Sequence, residues 1–130
     1  MNKKLILISN NPSLLNDMLF PTQIVAESNI DVINQCRDQI HAGAKLVTHP
    51  LAGSIKPWET PYRSILIQVK PEIQGQASLD MHSLEMIESA IQKYNTKLVG
   101  INKPKPTLKS DADFQLVDKE LMLSALKSLR

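Results

Sequence analysis

The chain has 130 residues with one cysteine, eight prolines and four glycines, and its 15 basic and 13 acidic residues give a formal charge of +2. A single cysteine excludes a disulfide framework and the paired thiolates of a zinc ribbon or iron–sulfur cluster, and so small a charge gives no electrostatic footprint for nucleic acid. One tryptophan, two tyrosines and two phenylalanines offer few stacking platforms for single strands, while the length fits one domain over 1–130.

Leu5-Ile6-Leu7-Ile8 opens a predicted strand over 5–9, short, apolar and stopped by Ser9-Asn10-Asn11-Pro12. Four apolar residues fall far short of a signal-peptide core or a membrane span. With a lone thiol, the expectation is a cytoplasmic protein without membrane association. Asn11 before Pro12 reads as a helix start, because the Asn side chain caps free N–H groups and proline suits the first helical position. Leu14, Leu15, Met18 and Leu19 would form that helix's apolar stripe, and Pro21 would close it. Gln23 to Ala26 is a weaker second strand.

A better helix is predicted over 30–42, capped by Ser28 or Asn29, with Ile33, Cys36 and Ile40 on one face and Gly43 as its left-handed terminator. Lys45 to Thr48 is a third strand and Arg63 to Val69 a fourth, rich in β-branched residues. The longest helix runs from Asp80 to about Asn95, with Leu84, Ile87, Ile91 and Tyr94 on one side. Lys97 to Ile101 fits either a helix exit or a strand. After the Lys103-Pro104-Lys105-Pro106 linker, Phe114 to Val117 reads as a short strand. Asp118 then caps a final helix with Leu121, Met122, Ala125, Leu126 and Leu129 facing inward. Strands alternating with helices predict an α/β fold: a single three-layer domain whose mostly parallel sheet of about five strands is flanked by helices, Rossmann-like or flavodoxin-like.

The segment from Thr48 to Arg63 stands out, holding three prolines within twelve residues together with the only tryptophan. A loop this long between strands is uncommon in a compact domain unless it is functional or disordered, and its prolines together with Leu51, Ile55, Trp58 and Tyr62 argue against disorder. In open parallel sheets, ligands bind outside the carboxyl ends of the strands. If strands one and three are neighbours, Ser9, Asn10 and Asn11 share a crevice with Thr48, His49, Gly53, Ser54, Lys56, Glu59, Thr60, Tyr62 and Arg63. The N–H groups opening the first helix would add an anion-friendly surface, and Lys56 and Arg63 positive charge. His49 is the natural titrating group, although a histidine before proline at a strand end also serves simply to fix a loop. Ser54 lacks a nucleophile-elbow setting. Gly53-Ser54-Ile55-Lys56 lacks the spaced glycines of a phosphate loop.

Other residues have plainer readings. Cys36 sits on an apolar stripe and reads as core. His41 and His82 lie at helix ends, and with His49 they are too scattered in sequence to suggest a metal site. Glu85 and Glu88 belong to a solvated helix face, and the lysines at 97, 103, 105 and 109 to a solvated linker, with an electrostatic partner surface as the alternative.

Thr48-His49-Pro50-Leu51-Ala52-Gly53-Ser54-Ile55-Lys56-Pro57, followed by Glu59-Thr60-Pro61-Tyr62 and Ser64, resembles the signature stretch of the GrdX-type proteins. Asn10-Asn11-Pro12 and Asp113-Phe114-Gln115-Leu116-Val117-Asp118 are similar to that family as well, so the resemblance spans most of the chain. These small proteins are encoded beside glycine, sarcosine and betaine reductase components in amino-acid-fermenting bacteria. The resemblance implies an accessory or regulatory protein of that system, with reductase components as partners and no assigned catalytic role or cofactor. The catalytic selenocysteine and pyruvoyl chemistry belong to other subunits. Through the His49–Arg63 loop the chain would hold a small anionic ligand or a partner subunit, and a homo-oligomer stays open. The alternative is an enzyme acting on a small carboxylate or phosphorylated metabolite, with His49 as general acid–base and Lys56 and Arg63 orienting the anion.

Overall fold

A computed structural model describes the chain over residues 4–15, 20, 22–50, 60–69, 79–98 and 108–128. The apolar N-terminal run forms β1 (Lys4–Ser9), followed by β2 (Gln23–Val25), α1 (Asn29–His41), β3 (Lys45–Leu46), β4 (Ser64–Val69), α2 (Met81–Leu98) and α3 (Leu108–Ser128). The strands make one sheet in the order β2-β1-β4-β3. Only β1 and β2 pair in parallel; β4 runs antiparallel to both β1 and β3.

This mixed four-stranded sheet overturns the expected mostly parallel, five-stranded, Rossmann-like or flavodoxin-like architecture. The cause lies in β4. The chain leaves β3 and re-enters the sheet at the same end, between β1 and β3, so the connection reverses direction where a crossover was expected. The strand predicted at 114–117 lies inside α3, and Asp118 is therefore an interior helical residue, not a cap. Phe-Gln-Leu-Val alternates for only four residues. Asp111, Gln115, Asp118 and Met122 recur at helical spacing over a longer stretch, but three of them are polar and hide the stripe.

Smaller differences follow. The helix predicted from Asn11 is, among the described residues, a turn over 12–15 in which the Leu14 and Leu15 N–H groups donate to the Asn11 carbonyl at 3.1 Å. Met18, Leu19 and Pro21 lie outside the described residues, as do 99–101, the Lys103–Pro106 linker and Leu129. β3 stops at Leu46 because the Val47 and Thr48 N–H groups both reach the Leu66 carbonyl, at 2.9 and 3.3 Å, which ends regular pairing.

Strand alternation assigns the side chains to two faces. Ile6, Ile8, Ile65 and Ile67 face α1 and α2, meeting Val32, Ile33, Cys36, Ile40, Ile87 and Tyr94. Leu7 and Leu66 face the opposite way, toward Leu14, Phe20 and Met122 of α3. Local signals explain the first two helices. Ser28 Oγ accepts from the Asp31 N–H at 3.1 Å, and Gly43 (φ 107°) closes α1 with its N–H on the Ile40 carbonyl. Asp80 accepts the Ser83 N–H at the start of α2, and these bonds from Ser83 hold its carboxyl below the usual range. The Ser83 hydroxyl in turn accepts the Leu46 N–H at 2.9 Å, which fastens β3 to α2. Among the described residues, no helix is long and apolar enough to cross a membrane.

Candidate ligand site at the end of β1 and β4

The reversed β4 begins where β1 and β3 leave the sheet. Register places Ser9 opposite Ser64, and their hydroxyls meet at 2.8 Å. Both point to the α3 face, since each lies two residues from Leu7 or Leu66. There Asp118 of α3 closes a buried network: its Oδ2 accepts from Ser64 Oγ at 2.6 Å and from Asn11 Nδ2 at 3.0 Å. The Ser9 hydroxyl also accepts the Asn11 N–H at 2.9 Å. The expectation that strands one and three are neighbours is corrected here, because β4 lies between them.

The segment before β4 is fixed by two asparagines. Asn10 Oδ1 accepts the Arg63 N–H at 2.9 Å while its Nδ2 donates to the Pro61 carbonyl at 2.8 Å. Asn29, the first residue of α1, donates from Nδ2 to the Thr60 carbonyl at 2.7 Å. Side chains thereby satisfy backbone groups that a sheet ladder would otherwise take. Thr48 Oγ1 accepts the Leu66 N–H at 3.0 Å and plays the same part on the other side of β4.

α3 adds a second polar contact at its N-terminal end. The Tyr62 hydroxyl donates to Asp111 Oδ1, Gln115 Nε2 donates to Asp111 Oδ2 at 2.8 Å, and Ser13 Oγ donates to Gln115 Oε1 at 2.7 Å. Burial first, and then the bond to Asp111, raise the Tyr62 phenol above its ordinary value. Tyr94, buried between the helices and the sheet, is also raised by burial, against an opposing pull from the nearby Arg63 guanidinium.

A cleft of about 20 Å3 opens beside this network, lined by Thr48, Arg63, Ser64, Asp118, Leu121, Met122 and Ala125. That volume holds about one water-sized group. A wider depression of about 830 Å3 lies between α1 and α2 around the exposed Arg37–Glu88 ion pair (2.7 Å). None of its lining residues is buried, and a surface ion pair of this kind contributes little. The smaller cleft, by contrast, is lined by the buried polar residues Thr48, Arg63, Ser64 and Asp118.

Of the residues expected at the site, Ser9, Asn10, Asn11, Thr48, Thr60, Tyr62 and Arg63 come together at this end of the sheet. His49 follows Thr48 and is exposed; its pKa is lowered by partial desolvation and by the positive charges of Lys93 and Arg63. Gly53, Ser54, Lys56 and Glu59 lie outside the described residues. Asp111, Gln115 and Asp118 join the site without being expected there from the sequence, and their recurrence every three or four positions is the signal that points to them. Cys36 is fully buried, and burial pushes its thiol up to about 12, so it supplies no reactive thiolate. No cluster of three or more His, Cys, Asp or Glu suited to a metal ion occurs among the described residues.

No curated protein and no solved structure matches the chain. A family model described as GrdX-like protein matches residues 6–127, nearly the whole length. The stretch that resembles the GrdX-type signature flanks and enters the site just described, and the chain belongs to the GrdX-like family.

Proposed function

We propose that this GrdX-like chain is an accessory or regulatory protein of the glycine, sarcosine and betaine reductase system, holding a small anionic ligand or a partner subunit at the end of β1 and β4. The observation that carries this reading is the convergence of Ser9–Asn11, Thr48 and Thr60–Ser64, fixed to one another by the Asn10, Asn29 and Asp118 side chains. Directional bonds at this density hold a surface in one shape, and a pre-formed surface binds with less ordering cost. His49 adds support: partial desolvation first, and then the positive charges of Lys93 and Arg63, lower its pKa, and those two charges suit an anion. Membership of the GrdX-like family supports the reading, because GrdX-type proteins are encoded beside reductase components.

Thermal-shift titration with glycine, sarcosine, betaine and acetyl phosphate, alongside co-purification with reductase components, tests the reading. A raised melting temperature or a co-purifying component supports it. With neither, it is abandoned.

One observation favours a second reading, an enzyme acting on a small carboxylate or phosphorylated metabolite. His49 is exposed and its pKa is lowered, so its imidazole is neutral near neutral pH and able to accept a proton. His49→Ala would then abolish turnover with the fold retained, and unchanged turnover removes the assignment.

A further inference from the structure

We propose that α3 pairs antiparallel with α3 of a second copy of this chain, outward face to outward face, making a symmetric dimer. The helix is apolar on two sides. Met122 and Leu126 face the sheet and pack with Leu7 and Leu66. Leu116, Val117 and Leu121 point elsewhere and are 55, 39 and 38% exposed. Single exposed apolar residues are ordinary, but three large ones within two turns of one helix form a patch. A helix whose apolar residues reach round both sides calls for cover on both.

The charges on the outward face say what covers it. Exposed Asp113 stands toward its N-terminal end and exposed Lys127 toward its C-terminal end. A partner of one charge sign would be attracted at one end and repelled at the other. The same face turned end for end matches both, and a two-fold axis makes each contact twice. With Val117 opposite Leu121 of the second copy, the helical rise leaves Asp113 about 3 Å along the axis from Lys127 of that copy, within reach of a lysine side chain. Leu116 flanks the same contact. A net charge of only +2 raises little general repulsion between copies. The one adverse element is Glu120, exposed beside the axis, where it meets the Glu120 of the other copy. Its effect is to keep the association weak and reversible, and it supplies a test.

Sedimentation velocity of the full chain at neutral pH, over a concentration series reaching the millimolar range, is expected to show a monomer–dimer equilibrium. Leu116→Glu and Val117→Glu, neither of which touches the lining of the cleft beside Asp118, should each weaken the dimer by about tenfold or more, with circular dichroism unchanged. Asp113→Lys should weaken it by about fivefold, and adding Lys127→Asp should restore it, because the pair is then only exchanged. Glu120→Gln should tighten it by about threefold. A parent chain that stays monomeric throughout overturns the inference. So does a dimer that survives both glutamate variants, or an Asp113→Lys effect that Lys127→Asp does not relieve. If the parent is monomeric and a purified reductase component binds it but not Val117→Glu, the face serves that component and self-pairing is wrong.

Discussion

On one face of the sheet, α1 and α2 bury Ile33, Cys36, Ile40, Ile87 and Tyr94 against four isoleucines of β1 and β4. On the other, α3 brings Met122 and Leu126 to Leu7 and Leu66, and ties itself down through Asp111, Gln115 and Asp118. Apolar burial scales with area and has no preferred direction. Hydrogen bonds are directional and weaken when misaligned. The first face therefore supplies most of the cohesion, while the second fixes the rotation and height of one helix. Leu116, Val117 and Leu121 of α3 remain exposed, which fits a helix placed by polar contacts more than by a continuous apolar stripe.

The contrast can be broken by substitution. Ile87→Ala on the apolar face should cost about 2–5 kcal/mol, read as a lower urea midpoint with loss of structure throughout. Asp118→Ala should cost about 1–3 kcal/mol, because it strips Ser64 and Asn11 of their acceptor. Its pattern matters more than its size: amide exchange should accelerate in α3 while α1 and α2 stay protected. Equal acceleration in all three helices would show that α3 is no separate unit. Ser28→Ala removes the α1 cap and should cost about 1 kcal/mol, with exchange faster only in the first turn of α1.

The smallest effect is a pH dependence at the end the two faces share. The folded His49 pKa lies below its ordinary value, so between the two values the unfolded chain binds more protons. The contribution is fully present above the unfolded value and is lost as pH falls through the folded one. His49→Gln should flatten this decline, seen by comparing urea midpoints over roughly pH 5 to 8. A variant that declines as steeply as the parent places the acid sensitivity elsewhere.

How legible the molecule was from sequence follows the same division. The spacing predicts α1 over 30–42 and the helix spans Asn29–His41, with Ser28 and Gly43 in the expected roles, because caps and apolar spacing agree there. β1 and β4 were found within a residue of their bounds, since a continuous apolar run with β-branched residues leaves few alternatives. α3 was half missed because its inward face is polar in its first half, and hydropathy registers only apolar stripes. Strand direction was not legible: a connection as long as the one between β3 and β4 permits either sense. The site's strand-end residues were found from their position after apolar runs. Asp118, which joins them, reads from sequence as a cap because Asp is a preferred N-cap residue before an apolar helical stripe.

Cys36 is the chain's one thiol, and with burial pushing it up to about 12 it is inert to ordinary alkylating reagents at neutral pH. The native molecule is thus a silent background for thiol chemistry. A cysteine introduced at exposed Glu120 would be the sole reactive one, so a fluorophore placed there would report on α3 alone.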